Sequence, residues 1–211
     1  KGVMQKIFSQ ELRFKDEFGN NYPDWEEKKL GDLIDLVIDN RGKTPPITDE
    51  GIYLIEVNAI GRRNINYSKI NKFVSSNTFE SWFRKYLEQG DLLFSTVGNT
   101  AVCSMYQEHH KAGIAQNIVG LRFKDDDSTF MYYLLTESLN NRKFKRIEMG
   151  AVQPSVKVSQ MIHIFFSTPC LKEQQKIANF LSSLDSKIEL VRTQIENTKA
   201  FKKGLLQQMF V

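Results

Sequence analysis

The chain has 211 residues, of which 41% are hydrophobic and 26% are charged, and its formal net charge at pH 7 is +4. These values are ordinary for one globular domain of roughly 150 residues with an extension, and no apolar run approaches the ~18 residues of a membrane span. The two cysteines, Cys103 and Cys170, have no partners at metal-ligand spacing, which leads us to expect a protein of the reducing cytoplasm. Because the net charge is only mildly basic, a DNA-binding surface would have to cluster its positive residues on one side.

Residues 1–13 are predicted to form the tail of a preceding helical region. The first eight residues, KGVMQKIF, are identical to residues 203–210, KGLLQQMF, at four of the eight positions, and three others exchange one apolar residue for another. Such a repeat indicates one unit of a tandem duplication, in which the chain starts with the end of the preceding unit's helix. Residues 14–26 are polar and acidic and contain glycine and proline, so they are predicted to form a turn-rich linker.

Residues 27–168 alternate short apolar runs with amphipathic segments, which predicts a globular mixed α/β (α+β) domain. The predicted strands are 33–38, 52–57, 91–96, 101–106, 117–123 and 161–166. The predicted helices are 77–87 and 129–140, the second with Met131, Leu134, Leu135 and Leu139 directed inward.

Residues 169–211 are predicted to form one long helix, because no proline follows Pro169 and the only glycine is Gly204. Its apolar residues are spaced alternately by four and three, as in the a/d seam of a coiled coil, although the polar residues Thr198 and Lys202 interrupt the series. The predicted seam residues are Ile177, Leu181, Leu184, Ile188, Val191, Ile195, Leu205 and Met209. We expect this seam to bind a partner helix; the alternative is that the helix packs on its own domain.

No catalytic residue, metal ligand or cofactor site is predicted in this chain. The Gly-Lys-Thr sequence at 42–44 ends like a phosphate-binding loop, but Val37 stands where the first glycine is required and Pro45 begins a Pro-Pro pair that blocks the following helix. No glycine-rich dinucleotide motif occurs. His109 and His110 are adjacent and therefore poorly placed to share a metal ion.

Four polar turns that contain glycine lie at 39–44, 58–64, 95–100 and 150–155, and a basic run follows residue 141. Arginine and lysine neutralise phosphates, whereas arginine reads guanine and asparagine or glutamine reads adenine. The candidates for DNA contact are Arg41, Lys43, Thr44, Arg62, Arg63, Asn64, Asn99 and Gln153. The basic run consists of Arg142, Lys143, Lys145 and Arg146.

Several stretches together resemble the specificity (S) subunit of type I restriction–modification systems. The matching pieces are WEEKKLGD at 25–32, RGKTPP at 41–46, GDLLFSTVGN at 90–99, GAVQPS at 150–155 and PCLKEQQKIA at 169–178. Their order and spacing match the family across nearly the whole chain. AQN at 115–117 departs from the family, which more often has Asn-Gln there, so we assign that turn no fixed role.

The resemblance implies two target-recognition domains in the family, each followed by a long helix. The two helices pair antiparallel and hold the domains at opposite ends of the pair, where they read a bipartite DNA sequence. The present chain, with one domain and one helix, resembles one half of such a subunit, the second half. The resemblance also implies that the helices dock modification subunits, which carry S-adenosylmethionine, whereas ATP is used by a separate motor-nuclease (restriction) subunit.

The leading hypothesis is a non-catalytic, sequence-specific module for double-stranded DNA, in the cytoplasm of a bacterial or archaeal cell and without a membrane partner. Helix 172–210 would span roughly 58 Å, the axial run of about 17 base pairs. Paired with a second S half or with another copy in a homodimer, such a rod would set the distance between two half-sites. The alternative hypothesis is a coiled-coil adaptor that binds only proteins.

Overall fold

The computed structural model describes residues 2–40, 42–107 and 111–209. Arg41, His109, His110 and Phe210, which the sequence analysis names, lie outside the described residues, as does the side chain of Met209.

The chain forms seven α-helices and nine strands within the described residues. In chain order they are α1 (Val3–Phe8), β1 (Glu26–Lys29), α2 (Leu30–Leu33), β2 (Ile34–Ile38), β3 (Ile52–Ile55), β4 (Phe73–Val74), α3 (Ser76–Trp82), β5 (Leu92–Ser95), β6 (Cys103–Met105), β7 (Ala112–Ile114), β8 (Ile118–Phe123), α4 (Ser128–Thr136), α5 (Ser138–Arg146), α6 (Val158–Met161), β9 (Phe165–Thr168) and α7 (Leu171–Met209). Two short 3-10 helices, Val57–Ala59 and Tyr67–Lys69, follow β3.

The strands form two sheets and one separate pair. The four-stranded sheet has the order β2-β8-β5-β6 and is antiparallel throughout. The three-stranded sheet has the order β4-β3-β7, in which β3 is antiparallel to β4 and parallel to β7. Strands β1 and β9 pair with each other. The predicted mixed α/β domain followed by a long helix is confirmed.

The four-stranded sheet is covered on both faces, because successive side chains of a strand point to opposite sides. Leu92 of β5 belongs to a buried cluster with Phe130 of α4 and with residues of α1 and α7. The next residue, Leu93, belongs to a second cluster with Ile55 of the three-stranded sheet. The helices other than α3 therefore lie on one face of the sheet, and the smaller sheet, against which α3 packs, lies on the other.

The predicted helix 77–87 ends early. α3 stops at Trp82, and Phe83 takes an extended backbone conformation (φ −82°, ψ 133°). The Phe83 ring then packs directly over Gly113, where a Cβ atom would come within 2.6 Å of it. The helix ends because a residue distant in sequence leaves space for this ring, which the local periodicity does not reveal.

The predicted helix 129–140 is two helices, α4 and α5, separated at Glu137. The Glu137 carboxylate accepts hydrogen bonds from the backbone N–H groups of Leu139 and Asn140 and so caps α5. Met131 and Leu134 are buried as predicted, but Leu139, which was expected to point inward, is 48% exposed because it belongs to the new helix.

The predicted strand 161–166 is wrong in its first half. Residues there form α6 and a turn, and the strand β9 starts only at Phe165. The turn is held by the backbone N–H groups of Leu30 and Gly31, which donate to the carbonyl groups of Ile164 and Ile162 at 2.8 and 2.9 Å. Strands β1, β4 and β7 were not predicted.

The N-terminal segment packs into the core of the domain. Ile7 of α1 is fully buried, and the Phe8 ring contacts Trp25. Glu173 in the first turn of α7 is also fully buried, and its carboxylate accepts hydrogen bonds from Arg13 at 2.9 Å and from the Trp25 indole at 3.2 Å. The segment before the domain therefore fastens the start of α7.

Helix α7 has a buried first part and an exposed second part. The structure corrects the predicted seam at its start, since Ile177 and Leu181 are 0% and 4% exposed and belong to the domain core, and Leu184 is partly buried against it. These residues face α4 and are unavailable to a partner helix. From Ser186 to Gln208 almost every residue is exposed, including the seam residues Ile188, Val191, Ile195 and Leu205.

Within the described part of the chain, no helix combines the length and apolar character that crossing a bilayer requires.

Candidate nucleic-acid interface

Two of the polar turns, 39–44 and 95–100, lie at one edge of the four-stranded sheet, together with the segment 115–117. Because neighbouring strands are antiparallel, β2 and β5 end where β6 and β8 begin, as the pairs Ile38–Gly120 and Phe94–Cys103 show. The loop after β2, the turn from β5 to β6 and the segment 115–117 before β8 therefore meet there. We call this region the turn edge.

Loop 60–64 starts near the turn edge, where Gly61 lies against Val102, and runs parallel to β6 toward the other end of that strand, where Asn64 pairs with Met105. The backbone N–H of Met105 donates to the carbonyl of Arg63 at 2.7 Å, and the Ser104 hydroxyl donates to the carbonyl of Arg62. The N–H of Gly61 donates to the same hydroxyl at 3.0 Å. Gly61 has a φ of +117°, which favours glycine at this bend.

Loop 149–155 packs against the turn between β5 and β6. The N–H of Gly98 donates to the carbonyl of Pro154 at 2.8 Å, and the N–H of Val156 donates to that of Thr96 at 2.8 Å. These bonds bring two exposed amide side chains, Asn99 and Gln153, onto adjacent loops. The sequence analysis placed both among the DNA-contact candidates without a reason to expect them side by side.

A polar cluster fixes the turn between β5 and β6. The Lys145 ammonium group donates to the Thr100 hydroxyl at 2.7 Å and to the Glu148 carboxylate at 2.9 Å, and Thr100 itself donates to Glu148. The bond from Thr100, together with that from Lys145, lowers the pKa of Glu148. The Asn141 amide donates to the carbonyl of Ala101, whose φ is +61°. Helix α5 thus holds the turn that carries Asn99.

Six of the eight candidate residues are exposed, and all of them except Asn64, which pairs with Met105 at the far end of β6, belong to loops at the turn edge. The six are Lys43, Thr44, Arg62, Asn64, Asn99 and Gln153. A seventh, Arg41, lies outside the described residues. The surface that they form offers ammonium, guanidinium, amide and hydroxyl groups, which bind phosphate oxygens and base edges.

Arg63 differs from the other candidates. It is only partly exposed, and its Nε atom is buried without a hydrogen-bond partner among the described residues. Its charge lies near Tyr133, whose hydroxyl donates to Asp185 at 2.6 Å. Burial, together with the hydrogen bond to Asp185, raises the pKa of Tyr133 to about 12. The positive charge of Arg63 lowers this pKa and so partly opposes the rise. Unlike Arg62, Arg63 therefore does not offer its whole guanidinium group to a ligand.

The sequence analysis assigned no role to Asn40, which shapes the first of these loops. Asn40 is 1% exposed, and its side-chain oxygen accepts a hydrogen bond from the N–H of Gly42 at 3.2 Å. An asparagine followed two residues later by glycine is a recognised signal for such a turn. The Thr100 cluster gave no comparable signal, because Thr100 lies more than 40 residues from Lys145 and Glu148 in sequence.

The chain thus combines a mixed α/β domain, which has polar and cationic loops at one sheet edge, with a long helix that carries an exposed apolar stripe. Residues 22–199 match the family model described as Type I restriction modification DNA specificity domain. Since this match covers most of the chain, the chain belongs to that family.

Known relatives agree with this assignment. The chain is 24% identical over 218 residues to the type I restriction enzyme MjaVIII specificity subunit of Methanocaldococcus jannaschii, in a match that covers 98% of this chain and 51% of that protein. The chain therefore spans about half the length of the curated relatives it matches.

Two solved structures show the same fold. One is a chain from a study of complex assembly and conformational transition of the type I R-M system, with a TM-score of 0.68 and 19% identity over 96% of this chain and 48% of that chain. The other is the HsdS subunit from Thermoanaerobacter tengcongensis, with a TM-score of 0.62 and 19% identity over 90% of this chain and 44% of that chain. At this identity the likeness shows the fold alone.

Proposed function

We propose that the chain is one half of a type I specificity subunit and that its turn edge reads one half of a bipartite site in double-stranded DNA. The observation that carries this proposal is that loops 39–44, 96–100 and 149–155 and the start of loop 60–64 meet at one sheet edge. Loops scattered over the surface would be ordinary solvated turns, whereas a shared edge can present amide and cationic groups to one groove.

The exposed half of α7 has the second role, which is assembly. It pairs antiparallel with the helix of another S half, or with that of a second copy of this chain, and so holds two recognition domains apart. The exposed apolar stripe would also suit a protein-only adaptor, but such an adaptor leaves the polar turn edge without a role.

The chemistry belongs to partner subunits. The helices dock modification subunits, which bring S-adenosylmethionine and methylate the DNA, and these link the chain indirectly to the ATP-using restriction subunit. The chain itself supplies no catalytic group, metal or cofactor, and it acts in the cytoplasm of a bacterial or archaeal cell.

The proposal is tested by selecting, from a pool of random DNA duplexes, those that bind the full chain. The parent should enrich a defined half-site, and the Asn99→Ala/Gln153→Ala double variant should lose preference at one or more of its positions, because these amides are placed to read base edges. The matched control is Gln175→Ala/Gln194→Ala, which removes two exposed amides of α7 and should leave the preference intact. A parent that enriches no sequence contradicts the proposal.

A further inference from the structure

We propose that one face of α5, formed by Arg142, Lys145 and Arg146, binds DNA phosphates beside the turn edge through its two arginines, since the Lys145 ammonium group is paired with Glu148. We call it the α5 basic face. The inference rests on the proposed function, since it assigns the backbone contacts of the same DNA-binding surface. None of these three residues was among the DNA-contact candidates from the sequence.

The three residues share one side of the helix. Positions separated by three and four residues are neighbours on a helix surface, so Arg142 lies beside both Lys145 and Arg146. Phe144 on the opposite side is fully buried in the core. Lys143 does not belong to this face, because its ammonium group donates to the carbonyl of Phe165 at 2.8 Å and lies 4.7 Å from the centre of the Phe166 ring.

The α5 basic face adjoins the loops that carry the amide side chains. The Lys145 ammonium group lies 2.7 Å from the hydroxyl of Thr100, the residue after Asn99. The chain leaves α5 after Arg146 and enters loop 149–155, which carries Gln153. Phosphate contacts on this face would therefore fix the position of DNA whose base edges reach Asn99 and Gln153.

Helix stability explains only part of this arrangement. Lysine and arginine in the last turn of a helix interact favourably with the helix dipole, which accounts for Lys145 and Arg146. Arg142 lies before that turn, and its i,i+4 spacing from Arg146 places two like charges side by side, which destabilises a helix. Both arginines are exposed, and among the described residues neither forms an ion pair with a carboxylate.

The charge of the turn edge leads to the same inference. Among the described candidates there, only Lys43 and Arg62 are exposed cations. Neutralisation of phosphates supplies much of the affinity of proteins for DNA, and each contact releases counterions. A surface with so few cations needs a neighbouring source of positive charge, and the α5 basic face is placed to supply it.

The test compares the salt dependence of duplex binding by the full chain and by Arg142→Gln/Arg146→Gln. Removal of one phosphate-neutralising cation reduces the slope of log affinity against log salt by about 0.9. Because the variant lacks two such cations, the parent's affinity should fall about ten-fold further than the variant's between 50 and 200 mM salt. The base preference of the variant should remain that of the parent, because phosphates carry no sequence information.

The matched control is Lys124→Gln/Lys172→Gln, which removes the same charge from two exposed lysines at the opposite end of the sheet. The salt slope of this control should equal that of the parent. The variant Arg142→Lys/Arg146→Lys keeps both charges and should retain most of the parent's salt slope. The proposal for α5 is overturned if the slope of the glutamine variant is unchanged, or if the slope falls equally in the glutamine variant and in the control. Either result overturns it even when the parent still selects a sequence. A parent without sequence selection overturns the proposed function instead.

Discussion

Arg62 and Arg63 are neighbours in sequence but have different surroundings. Arg62 is exposed on loop 60–64, whereas Arg63 is only partly exposed and its Nε atom is buried. The backbone of both residues is fixed by hydrogen bonds to β6, so the two side chains leave the loop in set directions. Only Arg62 therefore offers its whole guanidinium group to a ligand at the turn edge.

We expect Arg62→Ala to weaken duplex binding by about 1–3 kcal/mol, the usual cost of removing an arginine that binds a base. Arg63→Ala should leave the affinity unchanged to within about 0.5 kcal/mol. Titration of a labelled duplex with each variant measures both effects. Equal losses for the two variants would show that the loop presents both arginines to DNA.

The buried Glu173 carboxylate is the second feature at this scale. It depends on Arg13, whose guanidinium group donates two hydrogen bonds of 2.9 Å to it. Removal of one partner of a buried ion pair leaves an uncompensated charge, so Arg13→Ala should lower the free energy of unfolding by about 3–5 kcal/mol. Urea denaturation measures this loss. The control is Arg192→Ala, because the exposed ion pair between Arg192 and Glu189 contributes only about 0–1 kcal/mol. A similar loss of unfolding free energy in both variants would contradict the expectation.

At the scale of elements, α7 is one helix with two environments. Its first part covers α4 and belongs to the domain, and its second part carries Ile188, Val191 and Ile195 on an exposed stripe. An apolar stripe of this kind is stable in water only when a second helix covers it. The polar residues Thr198 and Lys202 within the stripe weaken it locally and restrict the registers in which a partner can bind.

Ile188→Asp/Ile195→Asp should therefore convert a dimer into a monomer, because each substitution removes about 2 kcal/mol of apolar burial and places a charge in the seam. Sedimentation equilibrium gives the mass. The control is Leu190→Asp, an exposed residue of the same helix about 200° around the axis from Ile188. A dimeric parent whose mass is the same in the double variant would exclude this seam.

Elements with a strong local pattern could be predicted from the sequence, and those decided by distant contacts could not. α7, β5 and β8 follow from apolar spacing alone, and the structure confirms them. β1 has the sequence EEKK and becomes a strand only because β9 pairs with it. The end of α3 depends on Gly113, 30 residues beyond Phe83. The same limit applies to the site, since loop composition identified the turns but only the antiparallel sheet places them at one edge.

At the scale of the whole molecule, only the exposed part of α7 can act as a rod between two domains. The full 39-residue helix spans about 58 Å, but its first part lies on its own domain. The exposed part, residues 186–208, spans about 35 Å, which is the axial run of about 10 base pairs. In an antiparallel pair this exposed part, rather than the whole helix, determines how far apart the two domains lie.

The spacing between the half-sites that the chain selects from random duplexes tests this account most directly. A variant in which residues 188–194 are duplicated keeps the seam in phase and lengthens each rod by about 10 Å, or about three base pairs. The account predicts that the parent selects two inverted half-sites at one fixed spacing, and that the variant selects the same half-sites with a spacer longer by about three base pairs. An unchanged spacer, or a single half-site without a fixed partner, would contradict it.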